Sequence, residues 1–158
     1  WPGTPALVAA LEEAIQGARE RHPGLPVYVL GESMGAAVAL MAQAGPGAEP
    51  VNGLILVAPA VWNGKDLPPG YLAVLRVLSA LVPSLRIHGS HLKRMASDNI
   101  EMLRALGRDP LYLRETRIDG IAGLVNLMME AQAVAPQVSR RPPTLSVFSE
   151  GTQVSPPV

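Results

Sequence analysis

Between Pro26 and Gln43 the chain reads PVYVLGESMGAAVALMAQ: an apolar run, a serine bracketed by two glycines, then an alanine-rich apolar run. VYVL is short and wholly apolar, as strands buried on both faces of a parallel sheet are. The segment from about Met34 to Ala44 reads as the helix that follows it. A strand that passes straight into a helix through Gly31-Glu32-Ser33-Met34-Gly35 has room for one very sharp turn. G-x-S-x-G is the pattern of a nucleophile elbow, in which a strained backbone lifts the serine hydroxyl above the sheet. Glycines are expected two residues to either side of Ser33 because side chains there would meet neighbouring backbone. The same turn leaves the Met34 N–H at a helix N-terminus, where the helix dipole also favours a developing oxyanion. Ser33 is therefore the candidate nucleophile and Met34 a candidate oxyanion-hole donor. The competing reading is a polar residue in an ordinary strand-to-helix turn.

The flanking segments fit the same kind of layer. Thr4 to Arg21 carries Leu7, Leu11, Ala14, Ile15 and Ala18 on one helical face, with Thr4 read as the N-cap and Pro5 as the first helical residue. HPGLP ends that helix, AGPGAEP forms a loop, and GLILVAP at 53–59 reads as a second buried strand. Helix, strand, helix, strand with short loops implies an α/β fold: a mostly parallel sheet with flanking helices. Residues 60–117 then show helical patterns and no convincing strand: YLAVLRVLSALVP, SDNIEMLRALG with Asp98 and Glu101 spaced as a capping box, and DPLYLRETR. We divide the chain into a core at 1–59, a helical cap insertion at 60–117 and a return to the core at 118–158. The last part holds a helix from about Asp119 to Ala135, with Ile121, Leu124, Val125 and Met128 on one face, and a strand at about 144–149.

Composition excludes several classes of function. Thirteen basic and thirteen acidic side chains cancel, so no overall field recruits nucleic acid. The chain has no cysteine, which rules out disulfides, cysteine-ligated zinc and a thiol nucleophile. No apolar run approaches the roughly 18 residues of a membrane span, and WPGTPALVAALEEA lacks the basic start of a secretory signal. The expectation is a cytoplasmic protein, peripheral to membranes at most, that needs no cofactor or metal.

VYVLGESMGAAVALMA, with VNGLILVAPAVW after it, resembles the α/β-hydrolase superfamily, in its branch of monoacylglycerol lipases, lysophospholipases and serine aminopeptidases. SDNIEMLRALGRDPLYLRETRIDGIAGLVNLM resembles the cap and post-cap region of bacterial members, and the similarity runs from Trp1 to Pro157. The resemblance implies a partial α/β-hydrolase fold and a serine hydrolase acting on carboxylic esters, of the monoacylglycerol or lysophospholipid kind, through an acyl-enzyme on Ser33. The partner would be a small ester or lipid, with transient lipid-surface contact through the cap. In this family the acid follows a strand matching PTLSVFS, in a segment resembling P-T-L-V-L-Y-G-E-x-D-x-V-x-P-P. Laid on that pattern, Ser149 takes the glycine's place, Glu150 is kept, and Thr152 stands where the aspartate belongs. Threonine cannot carry the charge that steadies an imidazolium. No histidine follows Thr152, and the H-G loop that usually gives the second oxyanion donor has no counterpart. We therefore expect an internal piece of a longer hydrolase, inactive alone. The alternative is a non-catalytic remnant that binds apolar ligands or other proteins.

The remaining candidates read more simply. His22 sits in the loop before VYVL, at the far end of that strand from Ser33, and is expected in solvent. His88 and His91, in RIHGSHLKR, have basic neighbours that lower their affinity for protons, and Gly89 and Ser90 between them disfavour a helical metal pair. Glu150 reads as a surface charge, as do Arg86, Lys93 and Arg94. Trp62, at the end of APAVW, could line a substrate pocket. YLAVLRVLSALV, broken only by Arg76 and Ser79, reads as a packing helix ahead of a lipid-facing lid.

Overall fold

The computed structural model describes residues 1–65, 67–88, 99–138 and 142–148. The elements are α1 (Thr4–Arg21), β1 (Tyr28–Glu32), α2 (Met34–Ala44), β2 (Gly53–Val57), α3 (Tyr71–Leu81), β3 (Arg86–His88), α4 (Ile100–Arg108), β4 (Glu115–Arg117), α5 (Ile118–Val138) and β5 (Thr144–Val147). They divide into two compact units, Trp1–Pro68 with Gly123–Val158, and Pro69–Ala122.

In the first unit β1, β2 and β5 form a three-stranded parallel sheet in that order. Glu32 lies opposite Val57, and Val57 opposite Val147, so the three strands end level. Two successive crossovers step in the same direction. Because such connections are right-handed, both crossover helices fall on one face of the sheet. The core agrees: Val29, Leu54 and Leu56 point inward and cluster with Ala36, Ala37, Ala39 and Leu40 of α2 and Leu127, Ala131 and Val138 of α5. Ile15 of α1 joins them, with Leu7 and Leu11 packed at the margin. On the opposite face the outer strands are exposed among the described residues, with Tyr28 61% exposed, Leu30 65%, Leu145 59% and Val147 43%, while Ile55 and Val57 of β2 are half-buried. The expectation that VYVL is buried on both sides is thus half met, with alternate residues of β1 buried.

Several local expectations shift. The N-cap of α1 is Gly3, at φ 91°, with no side-chain cap bond; its carbonyl accepts from Leu7 N–H at 3.3 Å. Proline in that first turn costs nothing because the leading N–H groups of a helix lack internal acceptors. Ala14 is exposed. The buried apolar residues of α5 are Ile118, Ala122, Leu127, Ala131 and Val138, while Ile121, Leu124, Val125 and Met128 are half-buried beside them, and the helix continues through Pro136. A helix apolar nearly all round does not specify its inward face by periodicity.

The second unit contains α3, α4 and an antiparallel pair, β3 with β4, in a region read as strandless. Three-residue strands of sequence RIH and ETR are too short to show a two-residue period. Asn99, not Asp98, caps α4: its Oδ1 accepts from Met102 N–H at 2.9 Å, and Asp98 lies outside the described residues. DPLYLRETR is not helical at all. Asp109 Oδ1 accepts from Leu111 N–H at 2.8 Å, an Asx turn that leads into β4. The compact division falls after Pro68 and after Ala122, whereas the sequence reading sets the insertion at 60–117.

Candidate active site

Ser33 joins β1 to α2 with φ 49° and ψ −115°. This is close to the mirror image of the first central position of a type II turn, roughly +60° and −120°, a conformation that L-residues other than glycine rarely hold. The neighbourhood explains how α2 comes so near. Ala36, Ala37 and Ala39 are fully buried, and small side chains there let the helix lie directly on β1. Gly31 is required by the same approach: a Cβ would lie 2.6 Å from Ala36 N and from Gly35 O. Gly35 is different, since a Cβ there meets nothing within 4 Å, so only one of the two expected collisions exists.

The backbone of Ser33 is tied down on both sides. Its N–H donates to Val57 C=O at 2.9 Å, and its C=O accepts from Ala36 N–H at 3.2 Å, Ala37 N–H at 3.4 Å and Ala60 N–H at 3.0 Å. Its side chain is exposed at the level where all three strands end. Met34 opens α2, a helix with no acidic residue in its first turn to oppose an oxyanion. Among the described residues no backbone acceptor is recorded for the Met34 N–H, as is usual for the leading N–H groups of a helix. The contribution of Ala60 is made by a backbone N–H and is not legible in the sequence.

Of the two described histidines, His22 shares a compact unit with this turn and His88 does not. His22 caps the C-terminus of α1, exposed, ahead of β1. Five strand residues separate it from the level of Ser33, about 16 Å at 3.3 Å per residue. His88 belongs to β3 in the other unit, where its Nδ1 faces Glu115 Oε1 at 3.8 Å on the neighbouring strand. Both line a cleft of about 480 Å³ with Arg86, Asp109, Tyr112 and Arg114. Trp62 is half-buried and donates its backbone N–H to Met128 C=O at 3.2 Å. His91, Lys93, Arg94, Ser149, Glu150 and Thr152 lie outside the described residues. Among the described residues no group of three His, Asp or Glu side chains could hold a metal, and no helix is long and apolar enough to cross a membrane.

A parallel sheet whose first strand turns through a strained serine into a close-packed helix is part of an α/β-hydrolase fold. The chain belongs to the family Serine aminopeptidase, S33 (Hydrolase_4), which it matches over residues 1–157. Its structure is similar to that of a monoacylglycerol lipase from Paleococcus ferrophilus, with a TM-score of 0.69 at 18% identity, over 92% of this chain and 54% of the lipase. It is also similar to a highly thermostable carboxyl esterase from Bacillus coagulans, with a TM-score of 0.62 at 15% identity, over 94% of this chain and 64% of the esterase. A soluble variant of the monoglyceride lipase from Saccharomyces cerevisiae aligns with a TM-score of 0.54 at 18% identity, over 82% of this chain and 41% of that one. The chain thus spans less than two thirds of each of these structures. No curated protein sequence matches it.

Proposed function

We propose that this chain is the nucleophile-bearing part of a serine hydrolase acting on carboxylic esters, with Ser33 as nucleophile and the Met34 N–H as one oxyanion donor. The observation that carries the reading is the strained conformation of Ser33 between β1 and α2, at φ 49° and ψ −115°. Strain of this kind persists only where surrounding structure enforces it, and it concentrates at functional sites. Ser33 Oγ would attack the ester carbonyl as its proton passes to a base, the oxyanion would sit before the Met34 N–H, the alcohol would leave, and water would then release the acid from the acyl-serine. His22 lies at the far end of β1 from Ser33, no histidine follows Thr152 as the family order requires, and Thr152 stands where the acid belongs, so these 158 residues alone are expected to turn over little or no ester.

A fluorophosphonate probe tests the assignment without needing turnover. Slow labelling at Ser33, lost in Ser33→Ala, supports an elbow serine; a folded sample that takes up no label on long incubation favours the non-catalytic reading, an apolar-binding or interaction module, to which the partly exposed sheet face lends support. The unit Pro69–Ala122 is read as the cap. Tyr71, Val74, Val77 and Leu81 of α3 form an exposed apolar stripe, which supports transient lipid contact over simple packing. A monoacylglycerol or lysophospholipid is the substrate class that fits the lipase likeness.

A further inference from the structure

The strain at Ser33 has a counterpart. Among the described residues only two other than glycine hold a positive φ, Ser33 at 49° and Ala58 at 42°. The register of β1 with β2 ends at Glu32 opposite Val57, so one further step sets Ser33 opposite Ala58. The two strained residues each directly follow the last paired residue of adjacent strands.

Their hydrogen bonds show what the pairing does. In a strand, successive residues present their N–H and C=O groups to opposite sides. Val57 faces β1, where its carbonyl accepts from Ser33, and Ala58 faces β5, where its N–H donates to Val147 C=O at 2.8 Å. Residue 59 would face β1 again, but it is a proline and has no N–H to give. Ala60, in an extended chain, would face β5. Instead its N–H reaches back to Ser33 C=O at 3.0 Å. The left-handed backbone of Ala58 is the point where β2 leaves its extended path, and it allows that reversal. Both backbone polar groups of Ser33 thereby bond to the exit of β2, the carbonyl accepting from Ala60 in addition to Ala36 and Ala37 of its own helix.

We propose that the turn Ala58-Pro59-Ala60 is a positioning clamp for the elbow: Ala60 N–H fixes the Ser33 carbonyl, and the left-handed Ala58 places Ala60 to do so. Neither residue touches substrate; both act through the conformation of Ser33. The functional meaning rests on Ser33 being the nucleophile, but the clamp itself is measurable without that assumption.

The test is amide exchange and Cα/Cβ chemical shifts, by NMR, on the full 158-residue chain. Ala60→Pro removes the donor, Ala58→Val puts a β-branched residue where φ is positive, and Ala58→Gly tolerates that φ. With the clamp lost in either of the first two, local opening is expected to speed exchange at the Ser33 amide by about tenfold or more and to move its shifts, while the Val29 amide, which faces β2 as Ser33 does, stays put. Ala58→Gly should leave Ser33 as it is. Unchanged exchange and shifts at Ser33 in both Ala60→Pro and Ala58→Val would overturn the proposal. So would global unfolding of both, since the turn would then be a general folding element. If only one folds, its comparison with Ala58→Gly decides. Absence of fluorophosphonate labelling with Ser33 still clamped would sink the nucleophile assignment and leave the clamp standing.

Discussion

At the scale of single residues, the two glycines of the elbow are not equivalent. Gly31→Ala forces a methyl group against the backbone of Gly35 and Ala36, which cannot swing aside as a side chain end could. We expect it to cost about 2–3 kcal/mol, the upper part of the range for overpacking, read as a lower urea midpoint with unchanged slope. Gly35→Ala meets open space inside a helix and should be neutral or stabilising by up to about 1 kcal/mol. Ser33→Gly should raise stability by about 1 kcal/mol in the same assay while removing the hydroxyl, because glycine accepts the positive φ at little cost. A gain on deleting the serine would show that the fold sustains this residue against its own interest.

At the scale of elements, α4 and the β4–α5 junction owe their ends to single polar side chains. Asn99→Ala should cost about 1 kcal/mol of the second unit's stability through the lost bond to Met102 N–H. Asp119 Oδ1 and Oδ2 accept from Arg117 Nε at 3.0 Å and Nη2 at 2.8 Å, and Gly120 N–H donates to Oδ1 at 2.8 Å. The Arg117 hydrogen bonds, ahead of its charge, hold the Asp119 carboxyl well below the usual carboxylate range. A carboxyl depressed in the folded state stabilises fully above its unfolded value of about 3.9, and that contribution drains as pH falls through the folded value. Melting curves below about pH 4 should therefore drop more steeply for the native chain than for Asp119→Asn.

These elements also show what could be read from the sequence. α1, β1, α2 and β2 were legible because length, apolar runs and glycine-proline breaks all agree there. β3 and β4 were not, since RIH and ETR have neither the length nor the apolar alternation that marks a strand. Ser33 was visible through its glycines. Ala58 and Ala60 act through backbone groups alone, and an alanine's letter says nothing about its φ.

At a larger scale, one face of the sheet leaves apolar side chains unburied among the described residues. Tyr28, Leu30, Leu145 and Val147 are apolar yet unburied, and β1 and β5 are both open edges among the described strands. Leu30→Lys and Leu145→Lys should leave the unfolding midpoint of this chain within about 0.5 kcal/mol of its starting value, as surface substitutions do. The same pair should lower self-association by sedimentation; a large loss of stability instead would show that the face is covered in solution.

The strand order carries a kinetic consequence. β1, α2 and β2 run without interruption from Tyr28 to Val57 and pair with one another, so their contacts close short loops. β5 reaches its place beside β2 only after the segment 58–143 has been spanned, at a higher entropic cost of closure. The elbow should therefore assemble early, while Val147, which receives the Ala58 N–H, arrives late. Pulse-labelled exchange should show the β1 amides protected before those of β5, with Ser33 bent before the strand that completes its surroundings has docked.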